Sequence, residues 1–136
     1  MRLKAIGYWT ATVLVALPLL SGGMAQFLRQ KETVEAITRL GYPAYFIVIL
    51  GFWKVLGGIA LLAPRFPRLK EWAYAGAFFN LTGAAASHLV CGSASWRVVM
   101  TTVLTALAVI SWALRPPSRT LGILFPPAPF RRKKEA

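Results

Sequence analysis

The chain has 136 residues, 57% of them hydrophobic, and its sixteen Lys and Arg against four acids leave a net charge of +12. A soluble domain of this size does not carry that apolar share, and nucleic-acid binding is set aside because no basic helix face or reader motif accompanies the charge. One cysteine, Cys91, and one histidine, His88, exclude an internal disulfide, a dithiol exchange and a structural metal site within a single chain.

A helix needs about 20 mainly apolar residues to cross the hydrocarbon. The first such run, residues 5–27, follows Arg2 and Lys4 and contains Pro18 and the pair Gly22 and Gly23, so a kink or loosened turn is expected in its second half. The same stretch has an alternative reading as a secretory leader with a small-x-small site at Gly23-Met24-Ala25, whose removal leaves three helices. Arg29, Lys31 and Arg39 then fall in an external segment. Residues 44–63 form the second run and residues 72–90 the third; the fourth, residues 98–114, is short and is stopped by Pro116 and Pro117. The pattern predicts an all-α fold, an integral membrane four-helix bundle over residues 1–115. Residues 116–136 form a Pro-rich basic cytoplasmic tail, read first as a stop-transfer and solubilising segment; the alternative places residues 121–125 in the interface and the terminal basic cluster on anionic headgroups.

Four crossings with the N-terminus inside place eleven Lys and Arg on the inner side and four on the outer. That bias predicts an N-in/C-in protein of a bacterial inner membrane, both termini cytoplasmic, with the lipid bilayer as its first partner. Aromatics fall at helix ends, Tyr8, Trp9, Trp72, Tyr74 and Trp112 toward the inside and Tyr42, Tyr45 and Trp96 toward the outside. They read as interfacial belts.

Lys54 interrupts the second run ten residues from its outer start. At about 1.5 Å per residue it lies about 15 Å down, near the midplane and too deep for easy snorkelling. The third run leads the other way, and Asn80, ten residues short of its outer end, shares that depth. A charge there costs about 2.5 to 3.5 kcal/mol, so it is expected to face the bundle interior with its amine near Asn80. On the third run Asn80, Ala84 and His88 recur at i, i+4 and i+8 beside Gly83 and Ser87, giving a narrow polar face with Phe78 and Phe79 directed elsewhere. Gly83 and Ser87 as a small-xxx-small pair predict a close helix crossing. Lys54, Asn80, Ser87, His88 and Tyr42 are the ligand-pocket candidates, His88 either as a proton relay or headgroup contact near the outer surface or as an interfacial histidine bonded to a carbonyl or water. Cys91 reads as a passive interfacial thiol.

The succession Ser21-Gly22-Gly23, LGYPAYF from Leu40, GFWKVLGGIALLAP from Gly51 and RLKEWAYAGAFFNLTGAAASHLVCG from Arg68 resembles the DoxX-like family of small four-helix membrane proteins, over residues 5–115. The resemblance implies a four-helix inner-membrane protein. Relatives include a subunit of a thiosulfate:quinone oxidoreductase and proteins of membrane redox or thiol homeostasis. Lys54 and His88 match the polar positions that recur in the group, whereas the acidic residue usual after His-x-x-x-Gly is replaced by Ser93.

Three functions compete. The first is an accessory or subunit in membrane redox chemistry, with Lys54 on a carbonyl oxygen of a quinone-like lipid headgroup, Asn80 orienting it and His88 managing protons. No flavin, haem or iron–sulfur motif is present, so no cofactor of the chain's own is expected and electrons must come from a membrane redox partner. The second is a small anion or weak-acid transporter working through Lys54, as a homo-oligomer. The third is a structural assembly partner in which Lys54 and Asn80 are interhelical glue.

Overall fold

A computed structural model of the chain describes residues 2–117 and Thr120. Among these are five helices and no strand: α1 (Arg2–Phe27), α2 (Lys31–Arg39), α3 (Ala44–Leu62), α4 (Pro67–Val90) and α5 (Ser95–Ala113). The expectations for the tail beyond Thr120 lie outside the described residues. The four long helices run up and down in chain order. α1 packs antiparallel to α3 and to α5, and α4 is joined to α3 and to α5 by short turns at opposite ends of the bundle.

The outer surface is apolar, as it is when the solvent is hydrocarbon. Trp53 is 63% exposed, Phe79 70% and Val90 86%, the reverse of what water selects. α1, α3 and α5 are long and apolar enough to cross a membrane. α4 has the length, 24 residues, but carries Asn80, Ser87 and His88 among many small residues, which lowers its hydropathy below theirs. Val15, Leu19, Leu61, Ala77, Leu81 and Ala108 meet in a central core.

Four features differ from the reading of the sequence. α1 is one continuous helix through Pro18, without the loosened turn expected there. The segment after α1 folds: α2 is a nine-residue helix set off by two left-handed residues, Arg29 at φ 54° and Gly41 at φ 90°. Nothing crowds Gly41, so the turn asks for glycine on backbone grounds alone. Tyr8 and Tyr74 are not a lipid-facing belt. Both are buried, and Tyr74 Oη bonds to Ser111 Oγ at 2.7 Å, which in turn bonds to Thr12 Oγ1 at 2.7 Å. Beside this hydroxyl chain Glu71 forms an ion pair with Arg115 and accepts a hydrogen bond from Trp112 Nε1 at 3.0 Å, while burial pushes the Arg115 guanidinium below its usual value without discharging it.

Lys70 is the fourth. Sequence counts it among the cytoplasmic charges, yet it is 0% exposed. Its ammonium donates to the carbonyls of Ala60 at 2.7 Å and Leu61 at 3.2 Å and to that of Ala63. These belong to the last turn of α3 and the residue after it, where carbonyls have no helical partner and the helix dipole favours a cation.

Candidate functional site

The site begins with a close helix crossing. A Cβ on Gly51 of α3 would lie 2.5 Å from the Phe27 amide nitrogen and 2.6 Å from the Gly23 carbonyl oxygen of α1, so these backbones touch where neither residue has a side chain. Gly58 repeats the pattern two turns along, 2.7 Å from Leu20 Cγ. Gly83 does not do what its spacing suggested: a Cβ there would meet nothing within 4 Å, and the residue faces a cavity instead.

Lys54 follows Gly51 by one turn and is placed by the same crossing. Its stem lies on Gly23, where an added Cβ would sit 2.9 Å from Lys54 Cβ, and its amine lies over Gly22, where one would sit 3.3 Å from Nζ. No hydrogen bond or ion pair ties that amine to another described residue. It borders a cavity of about 670 Å³, within the usual range of small-ligand sites.

Every helix contributes to this cavity. α3 brings Lys54 and Leu50, and α4 brings Asn80, Gly83, Ser87 and His88 along one face, as their spacing of three and four residues requires. Tyr42, in the turn before α3, closes toward α4 through a 2.8 Å hydrogen bond between its Oη and Ser87 Oγ. Lys54, Asn80, Ser87, His88 and Tyr42 thus border one space. Lys54 is not drawn to Asn80 by any hydrogen bond; the two share the cavity while the amine rests on α1. Phe79, expected to point away, lines it as well.

Three contributors were not singled out from the sequence. α2 roofs the cavity with Glu32, Thr33 and Ile37, and Arg97 of α5 adds a second cation at that end. Gln26 of α1 is 8% exposed and lines the cavity; among the described residues neither its Oε1 nor the buried Nδ1 of His88 has a hydrogen-bond partner. A polar residue closing an apolar run one turn past Gly22 was the available signal for Gln26. At the other end the space stops on Val15, Leu19 and Leu81, members of the packed core.

The DoxX-like family model matches residues 10–111, from the first turns of α1 to the last turn of α5. The chain belongs to the DoxX-like family. The matched region contains the whole cavity and its roof. Family membership and three apolar spans together make this an integral membrane protein. No curated protein and no solved structure matches the chain.

Proposed function

We propose that this DoxX-like protein is an accessory or subunit in membrane redox chemistry that holds a quinone-like headgroup in its cavity. The observation that carries the reading is the Lys54 amine, which borders the cavity without a partner among the described residues. Among the described residues no carboxylate lies at its depth: Glu32 is at the roof, Glu35 pairs with Arg39, and Glu71 pairs with Arg115 at the opposite end. A desolvated amine in that position favours an oxygen-bearing guest, a carbonyl or an anion. Asn80 then orients the guest, and His88, at the α2 end, exchanges protons.

The test is Lys54→Met, which keeps the length and apolar volume of the side chain. Trimethylbenzoquinone is expected to bind the purified wild type in lipid nanodiscs, and the variant to bind it at least tenfold more weakly while melting at the same temperature or higher, since a costly intramembrane amine is gone. Unchanged quinone binding refutes the reading; lost stability with unchanged binding makes Lys54 structural glue.

A second reading, an anion or weak-acid carrier, draws on Lys54 and Arg97 bordering one cavity at two depths. The packed core beneath the cavity counts against passage through the bundle.

The same reading takes α4 as a fourth span. If α3 and α5 both cross and α4 joins opposite ends of the bundle, α4 must cross between them, with Asn80, Ser87 and His88 turned to the cavity rather than to lipid. Arg2, Lys4, Arg65, Arg68 and Arg115 gather at the end where α1 begins, which is the cytoplasmic end of a bacterial inner membrane protein by the positive-inside rule. Reporter tags at both termini are expected to give cytoplasmic signals. Cysteines introduced between Lys31 and Arg39 should react only with reagent added outside; labelling from the inside would reverse the topology.

A further inference from the structure

The cavity does not open only beneath α2. Phe79 lines it and is 70% exposed, and Gly83, one turn nearer the α2 end, lines it and is exposed too. Phe79 lies eleven residues from the end of α4 at Val90, about 16 Å down the helix, and Gly83 about 10 Å down. Exposure at those depths faces the surroundings of the bundle and not its end.

The seam between α3 and α4 explains the gap. It is pinned at one end by Tyr42 and Ser87, at 2.8 Å, and at the other by Lys70 on the α3 carbonyls. Between these ties Leu50 and Lys54 on one side and Phe79, Asn80 and Gly83 on the other border open space. A Cβ on Gly83 would touch nothing within 4 Å, so this glycine serves no packing purpose. The seam is open at this position.

We propose that the seam between α3 and α4 is a lateral portal to the bilayer, and that the occupant of the cavity is a membrane-dissolved amphiphile. Its oxygen-bearing head sits at Lys54 and Asn80, and its hydrocarbon chain leaves between Phe79 and Gly83 into lipid. A water-borne ion or tail-less solute would need no opening at the depth of Lys54. An amphiphile does, because withdrawing its chain from lipid through the polar roof of Glu32, Thr33 and Arg97 would expose apolar surface to water. This inference rests on the reading of Lys54 as the contact for an oxygen-bearing head, and adds to it the chain and the route.

Gly83→Trp tests it, since a Cβ at this position meets nothing within 4 Å and a bulky side chain built on it reaches into the gap of the seam. Two probes are compared in nanodiscs: trimethylbenzoquinone, which has no chain, and a decyl-substituted benzoquinone. Gly83→Trp is expected to weaken the decyl probe at least tenfold more than the tail-less probe. Gly57→Trp, at an equally open position on α3 outside the cavity, should change neither. Should the tryptophan variant fail to accumulate, Gly83→Leu narrows the same gap and is expected to weaken the decyl probe selectively by a smaller factor.

Equal binding of the decyl probe to wild type and to either Gly83 variant overturns the portal. So does equal weakening of both probes, which would mean that Gly83 borders the headgroup space only. Both results leave the Lys54 reading standing, whereas wild type binding neither probe overturns both.

Discussion

Replacing Gly51 by alanine is expected to lower the stability of the protein in detergent by about 3 kcal/mol, at the upper end of overpacking effects, and Gly51→Leu to prevent folding. The reason is what the new atom would meet. Phe27 N at 2.5 Å and Gly23 O at 2.6 Å are backbone atoms of another helix, so no side chain can rotate away and α1 must separate from α3. That separation also withdraws Gly22 and Gly23 from under Lys54, so the proposed quinone binding should fall with stability. Gly57→Ala on the same helix is the control. Its Cβ would touch nothing within 4 Å, and the change removes a glycine from a helix interior, which favours the helix by up to about 1 kcal/mol. Thermal melting of the two variants should move in opposite directions; equal shifts would show that the crossing is not held by Gly51.

Lys70→Met is expected to cost about 3 kcal/mol or more. The methionine fills the volume but leaves the Ala60, Leu61 and Ala63 carbonyls without their ammonium, in a site where Lys70 itself is fully buried. Hydrogen bonds from charged donors contribute about 1.5 to 3 kcal/mol each, and stranded buried acceptors add their own penalty. The turn it holds is also unusual. Arg65 at φ 66° and Phe66 at φ 56° are consecutive left-handed residues without glycine, a conformation that persists where its surroundings impose it. Loss of the Lys70 tie should therefore free the turn, and protease cutting between α3 and α4 in detergent should rise sharply. Lys4→Met, at an exposed position of equal charge, should do neither. Equal effects of the two substitutions would reduce Lys70 to the topology charge that its sequence context suggests.

How far the site was legible follows from these residues. Rise per residue along two antiparallel runs put Lys54 and Asn80 at one depth, and helical spacing put Asn80, Ser87 and His88 on one face; all three border the cavity with Lys54. Gln26 was missed because a lone amide at the end of an apolar run looks like an interfacial residue until a neighbouring helix buries it. α2 was missed because nine residues with four charges give no hydropathy signal, and short helices depend on what they pack against.

Apolar runs alone determined the long helices, residues 44–63 against Ala44–Leu62 and residues 72–90 within Pro67–Val90, because in hydrocarbon every backbone group must bond within its own segment. They also determined the polar face of α4, since helix geometry is local. Which glycines are contacts was decided only by tertiary structure: Gly23, Gly51 and Gly58 lie in a helix crossing while Gly83 borders an opening, and no local signal separates them. The same holds for the two lysines. Lys54 and Lys70 are alike as side chains, but one borders a cavity without a partner among the described residues and the other points at three orphan carbonyls, because a cation's role depends on which neighbouring backbone and which empty space the fold brings within its reach.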